Sequence, residues 1–340
     1  MDIEKTPKTQ PGPEEAVPIE AKTLSTEYDV ANQILADAAE YAYENFTEEE
    51  DRKLRWKIDW HLIPVMIMAA CKNFGGIADN PGNARWLTAR EKAMVVRRVS
   101  ENQTGIENKT WKWYQLRECL LDYRTYLLFF YIIGVTIPNG GLNTFNGLVI
   151  KNLGFTSHTT TLLQIPTGVF STLAALIASA FAARTVRFRT LIMAVVLLVP
   201  IIGVILNKAT AASNSGARLA GVYLIYTFYA GYMIALSMYQ ANTAGHTKKV
   251  TVSFIMYLAY AVGNIIGPQT FIANQAPEYV GGITAMLVSY CVCIVLAIIL
   301  GASYYMENKK RTANAGAVEA EGSAFLDMTD KENKMFTYII

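Results

Sequence analysis

Three asparagines at helical spacing are the side chains of this sequence best placed to bind a ligand in an apolar environment. Asn139, Asn143 and Asn146 lie in an apolar stretch at positions i, i+4 and i+7. This spacing puts all three amides on one face of a helix. Because a buried amide is costly unless it is hydrogen-bonded, the stripe is predicted to line a cavity and to bind a small polar molecule.

Other uncharged polar residues lie in the neighbouring apolar stretches and could complete this lining. Tyr257, Tyr260 and Asn264 have the spacing that places them on one helical face. Amide and phenol groups can donate and accept hydrogen bonds without carrying charge. Beyond the asparagine stripe, the predicted binding residues are Gln164, Tyr239, Gln240, Tyr257, Tyr260, Asn264 and Gln269.

The same residue types also have a purely structural interpretation. Asn and Gln in membrane helices often hydrogen-bond to a neighbouring helix, and Tyr often lies at the membrane surface. Gly263 and Gly267 are four residues apart, a pattern that lets two helices approach closely. We expect these glycines to pack rather than to bind, and for the polar residues the sequence leaves both interpretations open.

Catalytic and metal chemistry is not indicated. The cysteines and histidines have no metal-ligand spacing, and no hydrolase elbow, P-loop or dinucleotide fingerprint is present. We therefore expect no catalytic residue, metal or cofactor. Trp111, Trp113 and Tyr114 lie beside Lys112 and Arg117, and this mixture is typical of the lipid headgroup layer. A nucleic-acid surface is not favoured, because the patch is short and directly precedes an apolar stretch.

Six long apolar stretches dominate the second half of the chain. Hydrophobic residues make up 52% of the sequence and charged residues 17%, with a net charge of +2. About 20 apolar residues in a helix cross a bilayer core of about 30 Å. The sequence predicts an all-α polytopic membrane protein with spans near Thr125–Ile150, His158–Ala182, Thr190–Asn207, Leu219–Ala241, Val250–Ala273 and Ile283–Met306.

The loops between these spans differ in charge, and Lys and Arg favour the cytoplasmic side of a membrane. One side has only Lys151, Lys208 and Arg218. The distribution predicts that both termini are cytoplasmic. The basic residues of the other side are Arg117, Arg124, Arg184, Arg187, Arg189, Lys248, Lys249, Lys309, Lys310 and Arg311.

Five regions are predicted from these patterns. Residues 1–50 are predicted to be a disordered cytosolic tail. Residues 51–79 are predicted to be the remnant of a first membrane helix, followed by a junction (the seam) at which the rest of that helix is missing. Residues 80–124 are predicted to be a cytoplasmic loop with amphipathic helices. Residues 125–306 form the six-helix bundle, and 307–340 a cytosolic tail. In the loop, Thr88 and Glu91 have the spacing of a capping box, which begins a helix that runs to about Gln103.

Several motifs in this order resemble the fungal allantoate permease family, a group of anion:cation symporters in the major facilitator superfamily. The resemblance implies the six-helix C-terminal half of that fold, with the start of the first helix at Lys57–Met66 and with the N-terminal half largely missing. We therefore expect a truncated form of a longer protein. The motifs are Asn80–Lys92, Arg97–Val99, Asn102–Lys109, Ile137–Phe145, Leu162–Pro166, Asn242–Lys248 and Gly263–Gln269.

The resemblance also implies an activity, namely proton-coupled uptake of a small organic anion or nitrogenous metabolite such as allantoate, nicotinate or a vitamin, at the plasma membrane. Proton coupling and anion binding normally need an ionisable group within the membrane, and the predicted spans contain no Asp, Glu, Lys or Arg. The alternative is a non-transporting half that forms a homodimer or binds and regulates a full-length relative. An intramembrane enzyme is disfavoured, because no paired acid, nucleophile or metal cluster lies in the spans.

Overall fold

The structure is a computed structural model that describes residues 47, 49–50, 52–54, 56–57, 87–100, 111–211, 214–276, 278–314 and 327–340. The predicted tail up to residue 46, the seam between residues 67 and 78, and much of the loop that follows lie outside the described residues. Within the described part, all regular secondary structure is helical.

Six helical segments in the described part of the chain are long and apolar enough to cross a bilayer. The predicted all-α fold with six membrane spans is therefore confirmed. Two of the spans are interrupted once each, and the others are single helices. In chain order the helices are α1 (Ala89–Ser100), α2 (Trp113–Leu121), α3 (Tyr123–Lys151), α4 (Ser157–Arg184), α5 (Arg189–Val195) with α6 (Leu198–Ala209), α7 (Ser215–Ile225) with α8 (Tyr229–Asn242), α9 (His246–Gln269) and α10 (Val280–Asn314).

The last two spans end at positions that differ from the predicted ones. Helix α9 ends at Gln269, four residues before the predicted end, because Thr270 turns back to donate to the Gly267 carbonyl. Helix α10 continues beyond Met306 to Asn314. Backbone hydrogen bonding does not stop where hydrophobicity stops, and basic residues are favourable in the last turns of a helix.

Helix α3 is continuous from Tyr123 to Lys151 and includes Pro138. Proline and paired glycines commonly interrupt a membrane helix, so Pro138 and Gly140–Gly141 predict a break at this point. That prediction is wrong. A membrane helix tolerates proline where neighbouring elements satisfy its backbone. Helix α9 packs closely against this stretch of α3, since a Cβ atom at Gly267 would lie 2.6 Å from the Gly141 amide nitrogen.

Helices α1 and α2 precede the bundle, and α1 begins where the capping-box spacing predicts. At the start of α1, the Glu91 amide donates to the Thr88 hydroxyl and the Thr88 amide donates to the Glu91 carboxylate, at 3.3 and 2.8 Å. These two bonds form the predicted capping box. Helix α2 begins at Trp113, which is 73% exposed.

The centre of the bundle lies between α3 and α10. Tyr131 and Val135 of α3 and Tyr290 and Cys293 of α10 are almost completely buried. The Cys293 thiol donates to the Tyr131 carbonyl at 3.3 Å. Helix α4 is different, because only 17% of the residues in its most apolar stretch are buried within this chain. Its outer apolar side chains are therefore available to lipid or to another protein surface.

The helices alternate in direction, so that the starts of α3, α5 and α9 meet the ends of α4, α8 and α10. We call this side of the bundle the basic end; the basic residues at these helix termini are Arg124, Arg184, Arg189, Lys248, Lys249, Lys309, Lys310 and Arg311. The segment Asp327–Ile340, which belongs to the predicted C-terminal tail, folds back against this end and contacts several of the helices.

Candidate functional site

Helices α3 and α9 approach each other closely at glycines, which positions the candidate site. A Cβ atom at Gly263 would lie 2.8 Å from the Ile133 carbonyl oxygen and would also overlap the Thr136 hydroxyl. A Cβ atom at Gly267 would lie 2.6 Å from the Gly141 amide nitrogen. The predicted packing role of Gly263 and Gly267 agrees with this geometry, since only glycine fits such a contact.

A network of amide side chains joins the same two helices next to this glycine contact. The Asn139 side-chain amide donates to Asn264 Oδ1 at 2.8 Å and to the Tyr260 hydroxyl at 3.4 Å. The Asn143 amide donates to Asn139 Oδ1 at 3.2 Å. The side chain of Asn264 in turn donates to the Tyr260 backbone carbonyl at 2.8 Å. Four of the predicted binding residues, Asn139, Asn143, Tyr260 and Asn264, therefore form one connected group.

The network leaves hydrogen-bonding groups for a ligand on its outer side. Asn139 is buried and uses its amide hydrogens and its oxygen within the group, whereas Asn143 is exposed. Among the described contacts, the side-chain oxygen of Asn143 and the hydroxyl hydrogen of Tyr260 have no hydrogen-bond partner. These are one acceptor and one donor, which suits a polar ligand that has both kinds of group.

Tyrosine rings extend the site from α9 to α8. The Tyr232 and Tyr260 ring centroids are 5.6 Å apart, and those of Tyr229 and Tyr232 are also 5.6 Å apart. Tyr257, one turn before Tyr260, is 67% exposed. The face therefore combines amides with aromatic surface, as small-molecule sites commonly do. From the sequence, Tyr229 and Tyr232 are candidate additional lining residues. The structure places the Tyr232 ring against Tyr260 at an interplanar angle of 42° and the Tyr229 ring against Tyr232 at 55°, and these contacts depend on the helix arrangement.

The remaining predicted residues lie apart from this network. Asn146 is buried one turn further along α3, and its side-chain oxygen has no hydrogen-bond partner among the described residues. Gln164 of α4 lies beside Gly147, since its amide nitrogen would be 3.4 Å from a Cβ atom there. Tyr239 is buried and bonds only weakly to the exposed Gln240, at 3.5 Å. Gln269 is exposed at the end of α9.

The chemistry available at this face is binding and not bond-breaking. Its members are neutral amides and phenols, and the charged residues of the described spans lie near the helix ends. No group of three or more His, Cys, Asp or Glu side chains in the described residues could hold a metal ion. The face can therefore select ligands by hydrogen bonding and aromatic contact.

A second polar cluster, at the basic end, is not predicted by the sequence analysis. Lys248 lies in the first turn of α9 and its side chain is 2% exposed. Its ammonium lies 2.6 Å from Asp330, 2.8 Å from Glu118 and 3.5 Å from Asp122. The sequence predicts Lys248 only as a loop lysine. The available signal was the group of carboxylates in the segments beside the spans, which a buried cation can neutralise.

Groups around this cluster titrate abnormally because they are buried. Burial raises the pKa of the Cys119 thiol to about 11. Burial, together with the neighbouring Asp330 carboxylate, raises the pKa of Tyr338 well above its usual range. Both groups are therefore neutral at physiological pH, which leaves the ionic contacts of Lys248 as the main electrostatic feature of the cluster.

A cavity of about 180 Å³ lies at the opposite end of the bundle. Its polar lining includes Asn207 and Arg218, which bond to each other's backbone carbonyls at 3.1 and 3.2 Å. Glu278 lies at the same cavity, and most of the remaining lining is apolar, including Leu142, Phe271, Tyr279 and Met286. This cavity is separate from the exposed amide face around Asn143.

The six apolar helices and the neutral amide face define a polytopic helical membrane protein. The chain is 45% identical over 288 residues to the MFS-type transporter cnsL of Penicillium expansum, which covers 84% of this chain and 59% of that protein. It is 39% identical over 275 residues to the allantoate permease of Saccharomyces cerevisiae, covering 78% of this chain and 51% of the permease. It is 32% identical over 289 residues to the thiamine pathway transporter THI73 of the same yeast, covering 84% and 54%.

The chain belongs to the family of these MFS-type transporters and matches their C-terminal part. The predicted resemblance is confirmed, and the six described spans are consistent with half of an MFS fold. The chain spans about half the length of these relatives, between 51% and 59%. No protein-family model matches the chain, and no solved structure matches it.

Proposed function

We propose that this chain is the substrate-contacting half of a secondary membrane transporter for small anionic or nitrogenous metabolites. The observation that carries the proposal is the bonded group Asn139, Asn143, Tyr260 and Asn264, in which Asn143 is exposed and Tyr260 is half-buried. In transporters of this kind, substrate sites lie near the middle of the membrane, at the interface between two halves. An open polar face on a membrane helix pair is the expected form of one side of such a site.

The names of the relatives support the substrate class. One relative is an allantoate permease and another a thiamine pathway transporter. Allantoate carries a carboxylate and urea-type groups, and it therefore offers acceptors for the Tyr260 hydroxyl and donors for Asn143 Oδ1. Since the relatives are transporters, they favour a non-enzymatic role for this chain as well.

Proton coupling is part of the proposal. It needs an ionisable group inside the membrane, and the described spans carry their charged residues near the helix ends. We assign the coupling group to the other half of the transport machine. The face in this chain then supplies substrate contacts, and the partner half supplies the charge that couples uptake to protons.

The proposed location is the plasma membrane, with the basic end in the cytoplasm. The basic end carries most of the Lys and Arg residues close to the spans, and such residues favour the cytoplasmic side. Both chain termini then face the cytoplasm. Labelling of cysteines introduced at Lys249 and Lys208 with an impermeant reagent in sealed cells tests this orientation, because only the residue at position 208 should react.

A chimaera gives the direct test of transport. The part of the S. cerevisiae allantoate permease that has no counterpart here is joined to residues 111–340, and the chimaera is produced in yeast that lack the permease. We expect uptake of radiolabelled allantoate that a protonophore abolishes. In the same chimaera, Asn143→Leu should raise the KM by about tenfold or more, because it removes an exposed hydrogen-bonding group that a substrate contacts.

A neighbouring exposed residue supplies the control. Thr144 bonds to the Gly140 carbonyl of its own helix and takes no part in the amide network. Thr144→Val should therefore leave the KM within about twofold of that of the unmodified chimaera. If Asn143→Leu reaches the membrane in normal amount and has unchanged uptake kinetics, the amide face is not a substrate site.

A second candidate function is a half-size protein that pairs with another copy or with a full-length relative. The exposed apolar surface of α4 favours it. Ile165, Leu176 and Phe181 are each more than 60% exposed, and an open apolar groove of about 590 Å³ lies between α4 and α5. The mass of the detergent-solubilised protein, measured by light scattering, tests the homodimer. A strictly monomeric protein excludes it.

A further inference from the structure

The segment Asp327–Ile340 is held against the basic end by an unusually complete set of polar contacts. Asp327, the first described residue of the segment, contacts the starts of α2 and α9. The Asp327 carboxylate accepts from the His246 amide at 2.7 Å and pairs with the Lys112 ammonium at 3.1 Å. The Asp327 backbone carbonyl accepts from the Gln115 side chain at 3.1 Å. The carboxylate therefore lies at the N-terminus of α9, where negative charge is favourable.

The middle of the segment supplies the buried partner of Lys248. Asp330 is 2% exposed and lies 2.6 Å from the Lys248 ammonium. The neighbouring Thr329 hydroxyl donates to Glu118 at 2.8 Å, and Glu118 also contacts Lys248. A lysine buried to this degree needs its carboxylates in place, and the equally buried Asp330 has Lys248 as its ion-pair partner. The segment is thus tied to α2 and α9 through one ionic centre.

Side chains of the helices form hydrogen bonds with the backbone at the end of the segment. Asn308 of α10 both donates to the Tyr338 carbonyl and accepts from the Tyr338 amide, at 2.7 and 2.9 Å. Asn242 of α8 makes the same pair of bonds to Ile339, at 2.8 and 2.7 Å. The Arg189 amide donates to the Ile340 oxygen at 2.6 Å. These contacts add α5, α8 and α10 to the set of helices that the segment connects.

The Tyr338 ring lies between two guanidinium groups. Its centroid is 4.6 Å from Arg124 and 4.7 Å from Arg311, which is within the range of cation–π attraction. The Tyr338 hydroxyl donates to Asp330 at 2.7 Å. The aromatic anchor and the ionic anchor of the segment are therefore bonded to each other, so that loss of one weakens the other.

We propose that Asp327–Ile340 is a releasable latch, anchored by Lys248, that holds the helix termini of the basic end together. The described segment forms no helix or strand of its own, so contacts with the bundle alone keep it in place. Its most buried charged contact is with Lys248, and the buried Phe336 and Tyr338 side chains follow within eight residues of Asp330. Such a segment is expected to detach as a unit, because local opening releases groups of mutually dependent contacts together.

The latch has a consequence for transport, and this consequence rests on the proposed function. Alternating access requires helices at one end of a half to rock relative to the other half. A segment that ties α2, α5, α8, α9 and α10 fixes their spacing and restrains that end. Release of the latch should therefore change the uptake rate of the chimaera described above, whereas docking itself can be measured without any transport.

Limited proteolysis of the full chain tests docking. Trypsin can cut the segment after Lys331 and Lys334, both of which are exposed, only when the backbone leaves the bundle. Mass spectrometry gives the cleavage rate, and a synthetic peptide of residues 327–340 gives the rate for the undocked segment. We expect the docked segment to be cut at least about tenfold more slowly than the peptide, since cleavage follows the population of the open form.

Variants outside the segment leave its intrinsic cleavage unchanged and identify the anchor. Lys248→Met should bring cleavage to within about threefold of the peptide rate. Lys249→Met is the matched control, because Lys249 is the adjacent lysine and takes part in none of the ion pairs found in the described residues. The control should keep the slow rate of the unmodified chain.

A milder variant covers the case in which Lys248→Met does not fold. Asn308→Ala removes two bonds to the Tyr338 backbone and leaves the ion pairs of Lys248 in place, so it should raise the cleavage rate by about three- to tenfold. The latch is overturned if the unmodified chain is cut as fast as the peptide. It is also overturned if a folded Lys248→Met or Asn308→Ala protein shows the unmodified rate. Either result would leave the proposed transport function untouched.

Discussion

The Asn139 side-chain nitrogen lies 2.8 Å from the Asn264 side-chain oxygen, and this bond joins α3 and α9. This bond helps to distinguish helix packing from ligand binding, two roles that the sequence leaves open for the asparagines. Asn139 is buried within the network and holds two helices together, whereas Asn143 is exposed and, among the described residues, its side chain bonds to Asn139 alone. The packing interpretation therefore fits Asn139, and the proposed binding role falls on Asn143.

Substitution of these two asparagines should have unequal effects on stability. Asn139→Leu removes an interhelical hydrogen bond and leaves the Asn264 oxygen without that donor, so it should lower the free energy of unfolding by about 1 kcal/mol. Asn143→Leu should change it by less than about 0.5 kcal/mol. Unfolding of the purified protein in mixed detergent micelles measures both values. Equal losses for the two variants would assign a packing role to Asn143 too.

The glycine contact between α3 and α9 should be intolerant of even one methyl group. At Gly263 a Cβ atom would overlap the Thr136 hydroxyl and lie 2.8 Å from the Ile133 carbonyl, and backbone atoms cannot move aside easily. We expect Gly263→Ala to destabilise the protein by about 1–3 kcal/mol.

Gly168 provides the control for this substitution. It lies in α4, and a Cβ atom there would have no heavy atom within 4 Å. Gly168→Ala should leave stability unchanged or raise it by up to about 1 kcal/mol, because alanine is the better helix former. Thermal unfolding of both variants in the same detergent measures the difference. A stable Gly263→Ala protein would show that the two helices can separate at this point.

The sequence predicts the membrane spans well, but it does not predict which polar residues meet at the site. The apolar stretches predict all six spans, because hydrophobic length directly reflects bilayer thickness. The spacing of Tyr260 and Asn264 correctly places them on one face, since helical geometry is local. Which of the polar residues meet depends on how helices are rotated about their axes, and no local pattern contains that information. Tyr239 and Gln269 therefore lie away from Asn139, although their residue types suit a lining.

The basic end illustrates a second limit of sequence reasoning. Lys248 and Asp330 are 82 residues apart along the chain and 2.6 Å apart in space. A lysine beside a membrane span usually faces water, and the charge pattern alone indicates only the side of the membrane. The burial of Lys248 arises because a distant segment returns to cover it. Only the tertiary arrangement of α2, α9 and Asp327–Ile340 reveals this.

Cys119 should be chemically silent in the folded protein. It is completely buried in α2, and burial raises its pKa to about 11. Only the thiolate reacts rapidly with maleimides, and a pKa above that of an ordinary thiol lowers the thiolate fraction at pH 7 by about a hundredfold or more. We expect no modification of Cys119 at pH 7 in one hour, and complete modification after denaturation.

A cysteine on the same helix provides the comparison for this labelling experiment. Leu121 is 70% exposed, so Leu121→Cys places a thiol two residues away in a solvated position. It should react within minutes, and its rate should rise about tenfold for each unit of pH below its pKa. Peptide mass spectrometry distinguishes the two sites. Rapid labelling of Cys119 would mean that α2 does not pack against the bundle as described.

The contact between Thr329 and Glu118 predicts how negative charge acts on the segment Asp327–Ile340. Thr329 donates to the Glu118 carboxylate at 2.8 Å and accepts from the Glu332 amide at 3.1 Å. An aspartate at this position can still accept from the amide, since Asp is a good capping residue. It cannot donate to Glu118, and two carboxylates at this distance repel each other. Thr329→Asp should therefore weaken docking of the segment.

Thr329→Asn isolates the effect of charge, because asparagine has the shape of aspartate and can donate to Glu118 through its amide. Hydrogen–deuterium exchange of the peptide that covers residues 335–340 reports docking directly, through the Tyr338 and Ile339 amides that Asn308 and Asn242 hold. We expect exchange in Thr329→Asp to be about tenfold faster than in Thr329→Asn, which corresponds to about 1.4 kcal/mol. Equal exchange in the two variants would show that Glu118 tolerates a second negative charge, and that Lys248 alone determines the electrostatics of this cluster.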